Sequence, residues 1–545
     1  MAYMGYAKVQ ALVVDDFDSF RMTVTKMLQE LGIQSIDTAV NGAEALRQCR
    51  QKQYDLVLCD HNLGRGKTGQ QVLEELRYYK ILKPSAVFIL ISAESSRSIV
   101  MAAYDYEPDD YLTKPITSRS LQRRLERLMM RSARLAPIHE ALAQGRNEQA
   151  IVLCRKEIKS GGRYAAQCQK LLAELYLNTG ALEASQTLYR QVLDQRPLDW
   201  AMLGMARVKY AQKDRLSAQQ WLEDTLQEHP LCMAAYDLKA QIYRDQGAQD
   251  QLQGVLREAA EVSPLAIQRQ QDLADAALAN NDLITAAQAY RKAVRLGENS
   301  VHDRAEAHMN LARATASLFQ EDQQLAKSLA RDALKALNEY GHRFKATPES
   351  KTESLLIEAQ LTLGQGDKQS AEKLLQEAQD LLTEEAVVLD LGASLELAKT
   401  LRALGKVDKA RELMDELVDQ YASQQEQLQK IDRWLESPAS QKNRKLVAQI
   451  NKEGIGYHEQ KQYREAVDCF DQALRKFPRH IGVRLNLAQA LLDQMSEDGP
   501  DEARLAEVTT SLAFVVEAIT PSHEQFRRFR QLQDLEKQFE RRLKN

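Results

Sequence analysis

Long apolar runs are missing from this sequence. No stretch approaches the roughly 18 uninterrupted apolar residues of a membrane span, so no membrane insertion is expected. Met1–Ala11 also lacks a basic segment followed by an apolar core, which argues against a secretory signal. Cysteine is sparse. The six residues, at positions 49, 59, 154, 168, 232 and 469, lie scattered, without a CxxC pair or histidine partners. That pattern opposes a disulfide scaffold and structural zinc, and reduced thiols in the cytoplasm are expected. A charge excess is absent too. The 73 Lys and Arg stand against 77 Asp and Glu, a net charge of −4, so nothing draws the whole chain to nucleic acid or anionic lipid. Glycine and proline number only 23 and 12 among 545 residues, which favours long helices with few breaks. What remains is an ordinary globular composition, 44% hydrophobic and 28% charged, on a chain too long for one core.

Up to about residue 135, short β-branched or apolar runs alternate with amphipathic stretches. The runs are Val9–Val14, Ser35–Ala39, Asp55–Cys59, Ala86–Ile91 and Asp110–Thr113. Between the first two, Met22, Val24, Met27, Leu28 and Leu31 recur at helical spacing. Five strand–helix units predict a parallel sheet with helices on both faces. Such sheets bind ligands beyond the carboxyl ends of their strands. The residues able to do chemistry fall there: Asp15 and Asp16 after the first run, Asp60 after the third, Ser92 after the fourth and Lys114 after the fifth. Three crowded carboxylates repel one another unless a divalent cation neutralises them, and hard oxygen ligands select Mg²⁺. A metal-bound aspartate can attack a phosphoryl group. Mg²⁺ and the Lys114 ammonium would supply positive charge to the phosphoryl oxygens, and Ser92 could donate a hydrogen bond to one. Pro115 would set the aim of Lys114 if the bond between them is cis.

These stretches, Val13-Val14-Asp15-Asp16-Phe17, Asp60, Ile91-Ser92-Ala93-Glu94 and Asp110-Tyr111-Leu112-Thr113-Lys114-Pro115, resemble the receiver domain of bacterial two-component response regulators of the chemotaxis type. The resemblance covers roughly residues 7–133. It implies a doubly wound sheet of strand order 2-1-3-4-5, with Asp60 accepting phosphate from a histidine kinase or histidine phosphotransfer protein. Asp16 would ligate Mg²⁺ directly, Asp15 through water, and Asn62 through its backbone carbonyl. Ser92 and Tyr111 would form the switch pair. One stretch departs from the family pattern, which has a Met/Leu-Pro pair and then a glycine after the acceptor. Here Asp60-His61-Asn62-Leu63-Gly64-Arg65-Gly66-Lys67-Thr68-Gly69 has no proline, added glycines and one extra residue. Arg65 and Lys67 are expected in solvent, with an approach to the phosphate as the alternative, and His61 is expected as an exposed loop residue.

Other short matches carry less. Gly66-Lys67-Thr68 shares the end of a phosphate-binding P-loop, but His61 stands where that motif needs its first glycine. Glu-Ala-Leu, found at Glu44–Leu46 and Glu140–Leu142, sits in plain helical context without a metal cluster.

Beyond residue 135 a different pattern recurs: a small residue, an aromatic or leucine, a turn residue, then Ala, an aromatic or Leu, and Ala. The clearest copy is Gly454, Tyr457, Ala466, Phe470, Ala473 and Pro478. The residues opening each second helix are Ala150, Ser185, Ala218, Leu252, Ala286, Ala326, Ala371, Ala410 and Ala466. A period near 34 with these residue types is that of tetratricopeptide (TPR) repeats, so an α-α superhelix of about nine hairpins is expected. Small residues allow close helix approach and aromatics fill the gaps between hairpins. Longer intervals mark insertions near 297–304, 339–352 and 420–445, with 297–352 the candidate division of the array. Phe526, Phe529, Leu532, Leu535, Phe539 and Leu543 read as a capping helix, with Arg527, Arg528, Arg530, Arg541, Arg542 and Lys544 on a solvated face, a grip on an acidic partner being the alternative. Arg119, Arg123, Arg124, Arg127, Arg131 and Arg134 stud the helix joining the two parts and are also expected in solvent, with a partner-docking or dimer surface as the alternative.

The expected domains are a receiver at 1–134 and a TPR domain at 135–545. Function is then expected to be phosphorylation-controlled protein–protein interaction, with an unidentified partner in the TPR groove and a second copy of this chain as a further candidate. An auxiliary inhibitor or phosphate sink acting on a sensor kinase is the alternative. An enzymatic output finds no phosphate loop, metal-spaced cluster or nucleophile motif after residue 135, and DNA binding is opposed by the array's acidic balance.

Overall fold

The computed structural model describes residues 5–93, 106, 108–519, 521 and 523–544. Glu94, part of the Ile91–Glu94 stretch, lies outside them. The chain divides into two compact units, Met1–Ala314 and Thr315–Asn545.

The first unit opens with five parallel strands: β1 (Gln10–Val14), β2 (Ser35–Ala39), β3 (Leu56–Asp60), β4 (Val87–Ser92) and β5 (Asp110–Thr113), in the order β2-β1-β3-β4-β5. Every residue of β3 and β4 is buried. That is why both read as unbroken apolar runs, the mark of a strand covered on both faces. Helices α1 (Asp18–Glu30), α2 (Gly42–Gln51) and α3 (Gly69–Tyr78) connect the strands. One sheet face packs Val24 and Leu28 of α1 against Val13, Leu58 and Ile89. The other packs α2 and α3, through Ala45, Leu46, Val72 and Leu76, against Leu12, Val57 and Leu90. Asn41 caps α2 by accepting from the Glu44 N–H at 2.9 Å, while Glu44 accepts from the Val40 N–H. The first Glu-Ala-Leu copy is thus an ordinary helix start.

Helix α4 runs unbroken from Ser118 to Ala143. Its first half buries Leu121, Leu125, Leu128 and Met129 under the sheet. Its last turns bury Leu135, Ile138 and Ala141 against the following helices. Pro137 stands inside it. The arginine stripe stays exposed, as expected, at Arg119, Arg123, Arg127 and Arg134, while Arg124 and Arg131 are half-buried, and four of the six are paired. Arg124 and Arg127 pair with Asp110 at 2.6 and 2.9 Å, Arg131 with Asp109 at 2.6 Å and Arg134 with Glu157 at 2.7 Å. Acidic residues flanking β5 answer the stripe.

From α4 onward the described residues are helical. Each of the nine opening residues falls on its own helix: Asn147–Lys159, Leu182–Leu193, Arg215–Glu228, Gln249–Val262, Leu283–Gly297, Gln323–Arg343, Lys368–Glu384, Val407–Gln420 and Tyr463–Lys476. All nine are 5% exposed or less. The need for small residues is visible at Gly454, where a Cβ would lie 2.6 Å from the Phe470 ring. Only a hydrogen side chain lets the helices Gln441–Glu459 and Tyr463–Lys476 approach so closely.

Three stretches of the array depart from plain hairpins. Within the expected insertion near 339–352, residues 344–347 are the non-helical part. Gln323–Arg343 extends through its start, and Thr347 caps the next helix with Pro348 in its first turn. The insertion near 420–445 holds a short helix, Gln425–Ile431, and a buried Asp432 that accepts from the backbone N–H groups of Ala439 and Ser440. A further hairpin, Ile481–Asp498 with Glu502–Ala518, precedes the last helix, Phe526–Lys544. That helix buries Phe529, Leu532 and Phe539 against the hairpin. Its Arg528 reaches the Asn486 Oδ1 at 2.6 Å instead of pointing into solvent.

Candidate functional site

The carboxyl ends of β1 and β3 bring Asp15, Asp16 and Asp60 together, with one oxygen from each within 4.8 Å of the others. Asp15 and Asp60 are buried, at 1% and 5% exposure, while Asp16 faces solvent. The backbone sets this up. Asp15 Oδ1 accepts from the Phe17 N–H at 2.8 Å, turning the chain sharply after the strand. Arg21, 8% exposed, donates to the Asp15 carbonyl oxygen at 2.6 Å and pairs with Asp18. Arg21 is a support that sequence reasoning missed, since its position in α1 looks like any exposed helix residue.

Lys114 closes the site. Its Nζ lies 2.8 Å from Asp15 Oδ2 and 3.0 Å from Asp60 Oδ1, and 4.0 Å from the centre of the Phe20 ring. The Lys114–Pro115 bond is cis. Burial pushes the Asp60 carboxyl above its ordinary value, Lys114 pulls it down, and the neighbouring Asp15 and Asp16 push it up again. Burial opposes the Lys114 ammonium, but its hydrogen bonds to Asp15 and Asp60 outweigh that and raise its pKa. One ammonium therefore pairs with two of the three carboxylates, Asp15 and Asp60. The donor set is all oxygen, partly buried and short of positive charge, which suits a hard divalent cation.

Ser92 ends β4 opposite Thr113, 4% exposed, and its carbonyl accepts from the Lys114 N–H at 2.8 Å. Tyr111 is half-buried and leans on the cluster containing Leu90 and Leu73. Asn62 is exposed, its Oδ1 accepting from the Gly64 N–H at 3.2 Å. Gly69 begins α3 against the acceptor strand, and a Cβ there would sit 2.0 Å from the Asp60 carbonyl oxygen. His61 is half-buried, with its N–H on Ile91 and its carbonyl accepting from Gly69. Arg65 is exposed as expected, but Lys67 is not. It pairs with Glu75 at 3.0 Å and donates to the Asn299 carbonyl.

The family model of the response regulator receiver domain matches residues 11–126, and a tetratricopeptide repeat model matches 353–424 and 451–505. Chemotaxis protein CheY-3 of Vibrio cholerae is 30% identical over 123 residues, 93% of that protein and 23% of this chain. The chain belongs to the response-regulator receiver family. Chemotaxis protein CheY of Pseudomonas aeruginosa is 28% identical over 123 residues, covering 98% of that protein and 23% of this chain. Among solved structures, Vibrio cholerae CheY4 is 25% identical, with 98% of it and 22% of this chain covered at a TM-score of 0.21. The protein is a CheY-like receiver joined to a TPR region. The receiver's five-stranded order is the expected one, and its acidic pocket comprises Asp15, Asp16 and Asp60. No described helix is long and apolar enough to cross a membrane.

Proposed function

We propose that this chain is a response regulator in a two-component phosphorelay, with Asp60 as the phosphoryl acceptor. The observation that carries the reading is the convergence of Lys114 on both Asp15 and Asp60 beside Asp16. An Asp60 oxygen attacks the phosphorus of a phosphohistidine on a histidine kinase or phosphotransfer protein. The new O–P bond forms as the P–N bond breaks, and that bond's electron pair returns to the imidazole. Mg²⁺, held by Asp15, Asp16, Asp60 and the Asn62 carbonyl, would neutralise charge on the phosphoryl oxygens. Lys114 and Ser92 hold the transferred group, and Tyr111 turns inward as the switch. Water later hydrolyses the acyl phosphate.

The domains are assigned as a receiver at 1–134 and a TPR domain at 135–545, sharing α4. Phosphorylation state then governs what the array binds, and no separate enzymatic output is assigned. The six free cysteines favour the cytoplasm. Acetyl phosphate with Mg²⁺ should label the wild type at one site and leave Asp60→Asn unlabelled. Equal labelling of the variant would overturn the assignment, and chelation of Mg²⁺ should abolish the wild-type signal.

A further inference from the structure

Parts of the altered loop after the acceptor and of helix α3 are covered, although Asn62, Gly64, Arg65 and Gly66 stay exposed. The covered parts meet residues 298–302, the turn between the array helices Leu283–Gly297 and Ala305–Leu318, inside the same compact unit. Glu74, only 3% exposed, anchors the contact: its Oε1 accepts from the Ser300 hydroxyl and from the Val301 N–H at 3.0 Å. Gln71 Nε2 donates to the Glu298 carbonyl at 2.8 Å and Lys67 Nζ to that of Asn299. The His302 ring lies edge-on to Tyr78 at 5.7 Å and stacks with Tyr106 at 6.5 Å. A buried carboxylate is costly unless hydrogen-bonded, so the Ser300 hydroxyl and Val301 N–H offset the burial of Glu74 at Oε1, while its Oε2 has no hydrogen-bond partner among the described residues.

The turn is itself stiff. Gln271 Nε2 donates to the His302 carbonyl at 2.9 Å, Gln268 bonds the His302 ring at 3.2 Å, and the Ser300 hydroxyl accepts from the His302 N–H at 3.0 Å. The other side leads directly to the acceptor. Gly69 is pressed on the Asp60 carbonyl and its N–H donates to His61 at 2.9 Å. Gln71 closes the α3 cap with Thr68 through its oxygen while its nitrogen holds Glu298.

We infer that α3 and the loop 61–69 are the receiver's output surface, docked on residues 298–302 of its own array, so that Asp60 phosphorylation and array conformation are coupled through this contact. The inference rests on Asp60 being the acceptor. Coupling is reciprocal: if phosphorylation loosens the contact, loosening the contact must alter the phosphorylated state's stability by the same factor.

The test uses the full chain and has two readouts. Hydrogen exchange at 298–304 is compared in unmodified protein and in protein with Mg²⁺ and beryllofluoride, whose binding is checked by its stabilisation of wild type but not of Asp60→Asn. Separately, beryllofluoride affinity in the presence of Mg²⁺ is compared among wild type, Ser300→Ala and Glu74→Gln. Exchange at 298–304 should change on beryllofluoride binding, and affinity in the variants should shift by about fivefold or more. Bound beryllofluoride with unchanged exchange, together with wild-type affinity in both variants, would overturn the coupling while leaving Asp60 as acceptor. Failure of beryllofluoride to bind at all would instead sink the acceptor assignment beneath it.

Discussion

Lys114 is the counter-charge to two buried carboxylates, so its loss leaves them facing each other without a cation. Lys114→Ala should destabilise the metal-free protein by about 1–3 kcal/mol, and added Mg²⁺ should restore more stability to the variant than to wild type. Denaturation with and without chelator measures both, and equal gains would mean the lysine is not the neutralising charge. A second residue reports on acid. His480 Nδ1 accepts from the Val483 N–H at 3.2 Å at the start of helix Ile481–Asp498, and burial lowers its pKa. A histidine with a depressed native pKa is protonated in the unfolded chain first, so its stabilisation is full above the ordinary value of about 6.5 and is lost as pH falls below it. His480→Asn keeps a capping acceptor that does not titrate. The stability gap between wild type and His480→Asn should therefore change in the variant's favour below about pH 6.5, read from denaturant midpoints.

At the scale of elements, α3 is fixed by one glycine. A Cβ at Gly69 would overlap the Asp60 carbonyl, so Gly69→Ala should cost about 1–3 kcal/mol and slow acetyl phosphate labelling of Asp60. Unchanged stability would show that the loop can yield. The strands, Asp15, Asp16, Asp60 and Lys114 were legible because alternation of strand and helix patterns places residues at strand ends without knowledge of side-chain partners. The nine opening residues of the array were legible because buried small or apolar positions recurring at roughly 34 residues, stretched where insertions intervene, leave a compositional trace. Lys67 was not. Its partner carbonyl is 232 residues away, and no local pattern distinguishes a lysine bound to such a group from one in water. Arg21 was missed because nothing local marks a helix arginine that reaches the Asp15 carbonyl, and the partners of Arg124 and Arg131 were not legible because Asp110 and Asp109 lie at β5. The hairpin Ile481–Ala518 escaped because its second helix lacks the small-aromatic-small spacing. It packs with Leu505, Val508, Leu512 and Val515 instead.

Over the whole molecule, the array is held by neighbouring hairpins and the receiver by its own two-faced sheet. Stability in stacked repeats is a sum of local and nearest-neighbour contributions. Gly454→Leu should therefore raise amide exchange in 441–476 and the hairpin beside it, while the strands of the receiver keep their protection. Loss of protection in β3 and β4 would contradict this, and exchange by mass spectrometry resolves the two results.

The unbroken α4 sets a further condition on this architecture. It enters the receiver core at Leu121 and the first hairpin at Leu135 with no flexible residue between. One residue added between Met129 and Leu135 would rotate everything after it by about 100° and advance it by about 1.5 Å. Residues 298–302 would then no longer face Glu74. The length of this shaft is thus a phase setting, and insertions that surface turns of the array would absorb are forbidden here.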